Sequence, residues 1–343
     1  MFPELLQLKR LSAKVGRDLT LTQGAGGNTS IKKDGVLWVK ASGKWLANAE
    51  QEEMFLPVDL QRVRSSISAD HPDPNSATPL DGSRLRASIE TSFHALLPQN
   101  VVVHVHSVNA ISWAVQRYGY DSLQEPLKGL RWSWVPYARP GLPLTHLIAE
   151  RMTQDVQVWI LANHGLIVTG ASVEEAEKLL EEVEERLFVS SNTLLAQKET
   201  LSQYCVSGVW KLPKYAEAHQ AALTHERVGI AANGPLYPDQ TVFIGPACAV
   251  KHAGEDLTAA LTRYQELWKM EAKAVVVPNE GMLISAGASE GAEAMAACLG
   301  LVLERVDPLA DIAFLDHEEV YGLMNWDAEK YRQSLTQNES ECR

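Results

Sequence analysis

The chain has 343 residues, enough for two domains of ordinary size, and is 45% apolar and 22% charged. These values exclude a disulfide-held miniprotein, a collagen-like chain and a wholly disordered one. The net charge of −12, from 43 acids against 31 bases, argues against nucleic acid or an anionic membrane surface as the main partner. A small anionic substrate stays open, because a site needs only a few local donors. The cysteines, Cys205, Cys248, Cys298 and Cys342, are widely spaced with no CxxC pair and read as free thiols. The first residues carry regular charges and no apolar h-region, and no apolar run approaches the roughly 20 residues that span a bilayer. A soluble, cytoplasmic protein is expected.

In chain order, residues 3–17 read as an amphipathic helix through Leu5, Leu6, Leu8, Leu11 and Val15. A glycine-rich loop follows, Gln23-Gly24-Ala25-Gly26-Gly27-Asn28. Strands are expected at Thr29–Lys33 and Val36–Ala41, turned by Asp34-Gly35. Residues 64–86, rich in Ser, Asp and Pro, read as a long loop. A helix is expected over Ala87–Leu97, a buried strand over Val101–Val105 and a helix over Val108–Gln116. A strand near Trp132–Val135, a helix near Leu144–Met152 and strands at Val156–Leu161 and Leu166–Val168 complete this part.

Ser172 and Glu175 have the spacing of a capping box. The helix they open carries a stripe of Val173, Ala176, Leu180, Val183, Leu187 and Leu194 and is expected to fade near Thr200. Residues 201–214 read as a linker. Beyond it, Val277-Pro-Asn-Glu-Gly-Met-Leu-Ile-Ser resembles Ala162-Asn-His-Gly-Leu-Ile-Val-Thr, and both lead into a helix ending Glu-Arg. Chance likeness and a degenerate duplication are both open. In either case Glu280 stands where the first stretch has His164.

The chemistry-bearing residues are Glu90 and His94, the pair His104 and His106, and Asn163-His164-Gly165. Alternation on a strand puts both imidazoles of H-x-H on one face, where they can share a Zn²⁺. Two core histidines would show the same spacing. A third ligand must come from elsewhere, and three nitrogen ligands would leave an open coordination position, as catalytic zinc requires. Glu90 is placed on the helix before that strand, as a general base, a fourth ligand or a surface acid. The loop at 24–28 is no dinucleotide fingerprint, because it lacks the third glycine and precedes a strand. It is a plain turn or a source of N–H groups for an anion, alongside Ala41-Ser42-Gly43-Lys44 and Ser88.

Taken together, Gly-Gly-Asn-Thr-Ser at 26–30, Ala-Ser-Gly-Lys at 41–44, Ser-Ile-Glu-Thr-Ser-Phe-His at 88–94, His-Val-His-Ser at 104–107 and Asn-His-Gly-Leu at 163–166 resemble the class II (zinc-dependent) aldolase/adducin family. The resemblance covers about residues 5–200 and looks closest to the aldolase part of bifunctional rhamnulose-phosphate aldolase/dehydrogenases. The Pro-Asp-x-x-Val-Phe-x-Gly-Pro run at 238–246 also looks like the segment behind that part. It implies an α/β fold, a three-layer sandwich around a central, mostly antiparallel sheet; the patterns alone give only mixed α and β. The catalytic domain would be 1–205, and 215–330 a smaller α/β domain without metal ligands.

The resemblance further implies that His104, His106 and His164 bind Zn²⁺ or another divalent metal and that Glu90 is the acid/base. Gly27, Asn28, Ser42, Gly43 and Ser88 would line the phosphate end of the substrate. The implied reaction is retro-aldol cleavage of a ketose phosphate or related hydroxyketone through a metal-bound enediolate. An epimerase, a decarboxylase or an adducin-like binding module are the alternatives. A homotetramer is implied as well. Two departures stand out: Ile89 replaces the second serine common in sugar-phosphate aldolases, and the family's tyrosine from a neighbouring subunit has no secure match at Tyr118 or Tyr120.

Overall fold

A computed structural model describes residues 2–69, 77–191 and 193–326. Residues 70–76 of the expected loop, residue 192 of the helix expected to reach Thr200, positions 327–330 of the expected second domain and Cys342 lie outside the described residues. The chain divides into two compact units. One is Met1–Ala114 with Tyr120–Phe188, and the other is Val115–Gly119 with the chain from Val189 on.

Helix α1 (Pro3–Arg17) opens the first unit, with proline in its first turn, where no N–H is needed. Strands β1 (Asn28–Lys33), β2 (Val36–Lys40) and β3 (Phe55–Asp59) form an antiparallel meander. Helices α2 (Leu60–Ser68) and α3 (Thr91–Leu96) precede strand β4 (Val101–Val105). Then come α4 (Val108–Ala114), the single turn α5 (Gly119–Ser122), β5 (Trp132–Val135), α6 (Leu142–Arg151), β6 (Val158–Leu161), β7 (Gly165–Gly170) and α7 (Val173–Leu187). The seven strands lie in the order β3-β2-β1-β4-β7-β6-β5, antiparallel except for the β5–β6 pair. The expected fold class, a sandwich around a mostly antiparallel sheet, is the one observed.

Its layers follow from strand alternation. Val101, Val103 and Val105 bury against α1, α4 and α7, with Leu8, Ala110 and Leu180 in the same core. Val102, Trp159 and Ile167 face the other way, against Phe93 of α3 and Leu144 and Ile148 of α6. Leu37, Val39 and Val58 meet Val63 of α2. His104 shares the face of Val102.

Several boundaries differ from the sequence reading. Residues 64–68 are helical: the Asp59 carboxylate accepts the Arg62 N–H at 2.8 Å, and that cap outweighs the serines. Conversely, 87–90 are not helical. Ala41 bridges Ala87, and the Ser88 N–H donates to Lys40 O at 3.0 Å, so sheet pairing holds 87–88 extended, and the chain then turns through Ile89 to Glu90, the N-cap of α3. The Ser172 side chain caps α7 as expected, but Glu175 reaches back to the Ala171 N–H rather than to that of Ser172. Helix α7 stops at Leu187, before a Phe-Val-Ser-Ser run of weaker helix formers, so Leu194 is not on its stripe.

The second unit holds α8 (Lys198–Leu201), β8 (Trp210–Lys211), α9 (His225–Asn233), α10 (Pro238–Ile244), β9 (Ala249–Val250), α11 (Leu257–Trp268), β10 (Ala274–Val277), β11 (Gly281–Ser285), α12 (Glu290–Arg305) and α13 (His317–Met324). Its sheet order is β8-β11-β10-β9. The expected linker thus contains a strand, because Trp210 is buried in this sheet's core. Gly300 sits where an added Cβ would lie 1.9 Å from Glu217 O, so α12 packs on the 216–222 turn with room for a hydrogen alone.

The two similar stretches take the same local course, strand–turn–strand–helix. Asn163 and Asn279 both have positive φ, 52° and 65°. His164 N–H donates to Leu161 O at 3.1 Å, and Glu280 N–H to Val277 O at 3.0 Å. Ser172 and Ser289 cap the helices that follow. Cys205, Cys248 and Cys298 are free thiols. Among the described residues, no helix is long and apolar enough to cross a membrane.

Candidate metal centre

Strand β4 carries His104 near its end, with His106 just beyond it. Strand β7 runs antiparallel beside it, Val105 opposite Leu166. At Gly165 an added Cβ would come within 2.5 Å of Val105 O, so the β6–β7 turn lies flat on the end of β4. The left-handed backbone of Asn163 completes that turn and sets His164 beside the other two rings. Ring centroids are 5.0 Å apart for His104 with His106 and with His164, and 5.2 Å for His106 with His164. One ligating nitrogen from each lies within 4.8 Å of the others, and all three residues are buried.

The His104 ring pairs with Leu166 O through Nδ1 at 3.0 Å. A carbonyl can only accept, so Nδ1 carries a proton and Nε2 is the nitrogen left to face inward. There it meets Glu90. His104 Nε2 is 3.5 Å from Glu90 Oε2, and His164 Nε2 is 3.4 Å from Glu90 Oε1. Oε1 is buried and has no hydrogen-bond partner. Burial pushes the Glu90 carboxyl up, but the imidazoles and the Asn28 N–H outweigh it and hold it below the usual carboxylate range. A buried anionic oxygen at the mouth of three inward imidazoles suits a divalent cation, which would offset the cost of burying that charge.

Asn28, which opens β1, donates from Nδ2 to Glu90 Oε2 at 2.7 Å and to Ser88 Oγ at 3.1 Å. Both its side-chain N–H groups are therefore turned to its neighbours in the site. Gly27 has φ of 62°, and an added Cβ would be 2.9 Å from His104 O; one on Gly26 would press His106 Nδ1 at 2.7 Å. The loop thus lies directly against the histidines. The Ser42 N–H donates to Arg86 O at 2.8 Å, which places Ser42 and Gly43 beside the Arg86–Ser88 segment. The structure so brings together Glu90, the three histidines, Gly27, Asn28 and Ser88, with Ser42 and Gly43 at the edge. Lys44 is drawn to Glu52 at 2.8 Å.

Two residues, Lys40 and Ser30, were not singled out by the sequence, whereas His94 was. Lys40 is 2% exposed and donates to Ala25 O at 2.7 Å and Gly27 O at 2.8 Å, clamping the loop from beneath. Ser30 meets His94 Nδ1 at 2.7 Å, and His94 Nε2 meets Asn28 Oδ1. Period-two spacing of Asn28 and Ser30 on β1 was the available signal for Ser30. Tyr120 packs on Trp132 and is half exposed.

The profile of the Class II Aldolase and Adducin N-terminal domain family matches residues 7–189. Over 177 residues the chain is 35% identical to a Bacillus subtilis protein named uncharacterized oxidoreductase YuxG, covering 47% of this chain and 25% of that one. The chain therefore spans about a quarter of that relative's length. It is 32% identical over 176 residues to the 3-oxo-tetronate 4-phosphate decarboxylase of Escherichia coli, covering 47% of this chain and 74% of the enzyme. With the L-fuculose phosphate aldolase of Haemophilus influenzae it shares 26% over 180 residues, 48% of this chain and 72% of the aldolase. A family profile that spans more than half of the chain, over the same residues that build the histidine cluster, decides the matter: the chain belongs to the class II aldolase and adducin N-terminal domain family.

Proposed function

We propose that the first unit is a metal-dependent carbon–carbon lyase that cleaves a ketose phosphate or related hydroxyketone by retro-aldol chemistry. The observation that carries this reading is the buried Glu90 carboxylate, set between the Nε2 atoms of His104 and His164. A divalent ion held by His104, His106 and His164 would supply Lewis-acid stabilisation of the negative charge that develops as the carbon–carbon bond breaks. Glu90 moves the proton on the carbon next to the carbonyl: in the aldol direction its carboxylate removes that proton, and in cleavage the proton given up by the hydroxyl that becomes the aldehyde balances the one Glu90 returns to the carbon. Asn28 keeps Oε2 occupied, so Oε1 is the oxygen that exchanges the proton. The glycine-rich loop, Ser42, Gly43 and Ser88 orient the anionic end of the substrate. Zinc as the ion, a homotetrameric assembly and a cytoplasmic location belong to the same proposal, supported by the family resemblance.

Decarboxylation of a phosphorylated 3-oxo acid is the second reading, favoured by the higher identity to the Escherichia coli decarboxylase. Loss of CO₂ also leaves negative charge beside a carbonyl, which needs the same stabilisation and the same proton delivery. A panel of ketose phosphates and phosphorylated 3-oxo acids, incubated with the zinc-loaded protein, separates the two. Aldehyde and ketone products are expected from the former; CO₂ release from the latter alone would replace the aldolase reading. An adducin-like binding module would release neither, and the complete histidine cluster speaks for catalysis.

A further inference from the structure

Behind the Glu90 carboxylate runs a buried chain of hydrogen bonds whose direction is set throughout. Glu90 Oε2 can only accept, so Asn28 must present its amide nitrogen, at 2.7 Å. The second hydrogen on that nitrogen goes to Ser88 Oγ at 3.1 Å. Asn28 Oδ1 is thereby turned away from Glu90, toward His94 Nε2. That oxygen can only accept, so Nε2 bears the ring proton and Nδ1 accepts, from the Ser30 hydroxyl at 2.7 Å. Asn28 and Ser88 are 4% and 9% exposed, and His94 and Ser30 are fully buried, so no solvent competes for these bonds.

An asparagine amide has no intrinsic preference for which end faces a neighbour. Turned over, Asn28 would set its oxygen against the Glu90 carboxylate and its nitrogen against a ring N–H, two mismatches in a site without water. Burial keeps the His94 imidazole neutral, well below its ordinary titration range, which leaves it one donor and one acceptor. Stacking against Phe93, with ring centroids 4.6 Å apart, fixes its plane.

We infer that His94 is a positioning residue: with Ser30 it fixes the orientation of the Asn28 amide, and through Asn28 it holds Glu90 Oε2 so that Oε1 faces the reacting carbon. Asn28 therefore supports the carboxylate instead of donating to the substrate's anion. This inference rests on the reading of Glu90 as the acid/base.

The test pairs two variants with a measurement on the unaltered protein. His94→Gln keeps an N–H in the place of Nε2, whereas His94→Phe keeps the ring shape and loses the donor. His94→Phe is expected to lower kcat about 10–100-fold, the usual cost of removing an orienting partner, with KM and bound zinc little changed. His94→Gln is expected to recover most of that loss. Equal losses in both variants, or a loss in His94→Phe that lies in KM or zinc content, would overturn the inference. In metal-free wild-type protein, ¹⁵N spectra of the histidine side chains, assigned by comparison with His94→Gln, are expected to show His94 as the Nε2–H tautomer; an Nδ1–H tautomer overturns it whatever the kinetics. If Glu90 itself proves dispensable, the acid/base reading falls while the tautomer and the amide orientation still stand or fall on the spectra.

Discussion

Glu90→Gln is expected to lower turnover about 10³-fold, in the middle of the range usual for loss of a general acid/base, while the histidine cluster still takes up zinc. The substitution keeps the side chain's shape, and the Gln oxygen can still accept from Asn28 Nδ2, which approaches the carboxylate at 2.7 Å. The fold around it, with Glu90 as N-cap of α3, is therefore retained. What disappears is the exchangeable proton at Oε1, an oxygen with no hydrogen bond to give up. Steady-state turnover and zinc content of the same preparation decide the point. Zinc-loaded Glu90→Gln that cleaves substrate within tenfold of wild type would show that the proton passes elsewhere.

The second large effect belongs to His164→Ala. Zinc affinity is expected to fall by more than about 100-fold, since loss of a mere supporting partner already costs 10–100-fold, and activity should fall with it. His164 sits in the β6–β7 turn and makes no ladder pair, so the metal-free variant should melt close to metal-free wild type. Added zinc raises the melting temperature only of a protein that binds it when folded. Wild type is expected to shift upward with zinc and His164→Ala to stay flat. An equal shift in both would remove His164 from the ligand set.

Much of this was legible in the sequence because it is local. Val101–Val105 reads as a buried strand from its β-branched run, and Trp132–Val135 matches its strand residue for residue. Ser172 marks the start of α7 through its own cap. Failures came where distant segments decide. Ala87 and Ser88 have helix-compatible neighbours but are captured by the end of β2. Trp210 joins a strand only because β11 is there to receive it.

The site divides the same way. His104 and His106 share a face by strand period alone. That His164 stands 5.0 Å from His104, ring to ring, depends on Gly165 lying against Val105, a contact between segments some 60 residues apart. The resemblance supplied what spacing could not, bringing Asn28 and Ser88 into one site with Glu90, where the Asn28 amide is turned toward both.

Lys40 should give the site an unusual response to ionic strength. Its ammonium lies beneath the glycine-rich loop, 2% exposed, and draws the carbonyls of Ala25 and Gly27 inward, away from any anion resting on the loop. The chain as a whole carries −12 and repels such an anion from afar. Dissolved salt screens the distant repulsion beyond about 8–10 Å but penetrates poorly to a charge sealed under the backbone. Moderate salt should therefore ease the approach of an anionic substrate of the proposed kind without loosening its hold. A cradle of surface lysines would behave in the opposite way, losing grip as salt rises, so KM measured across a salt series tells the two apart.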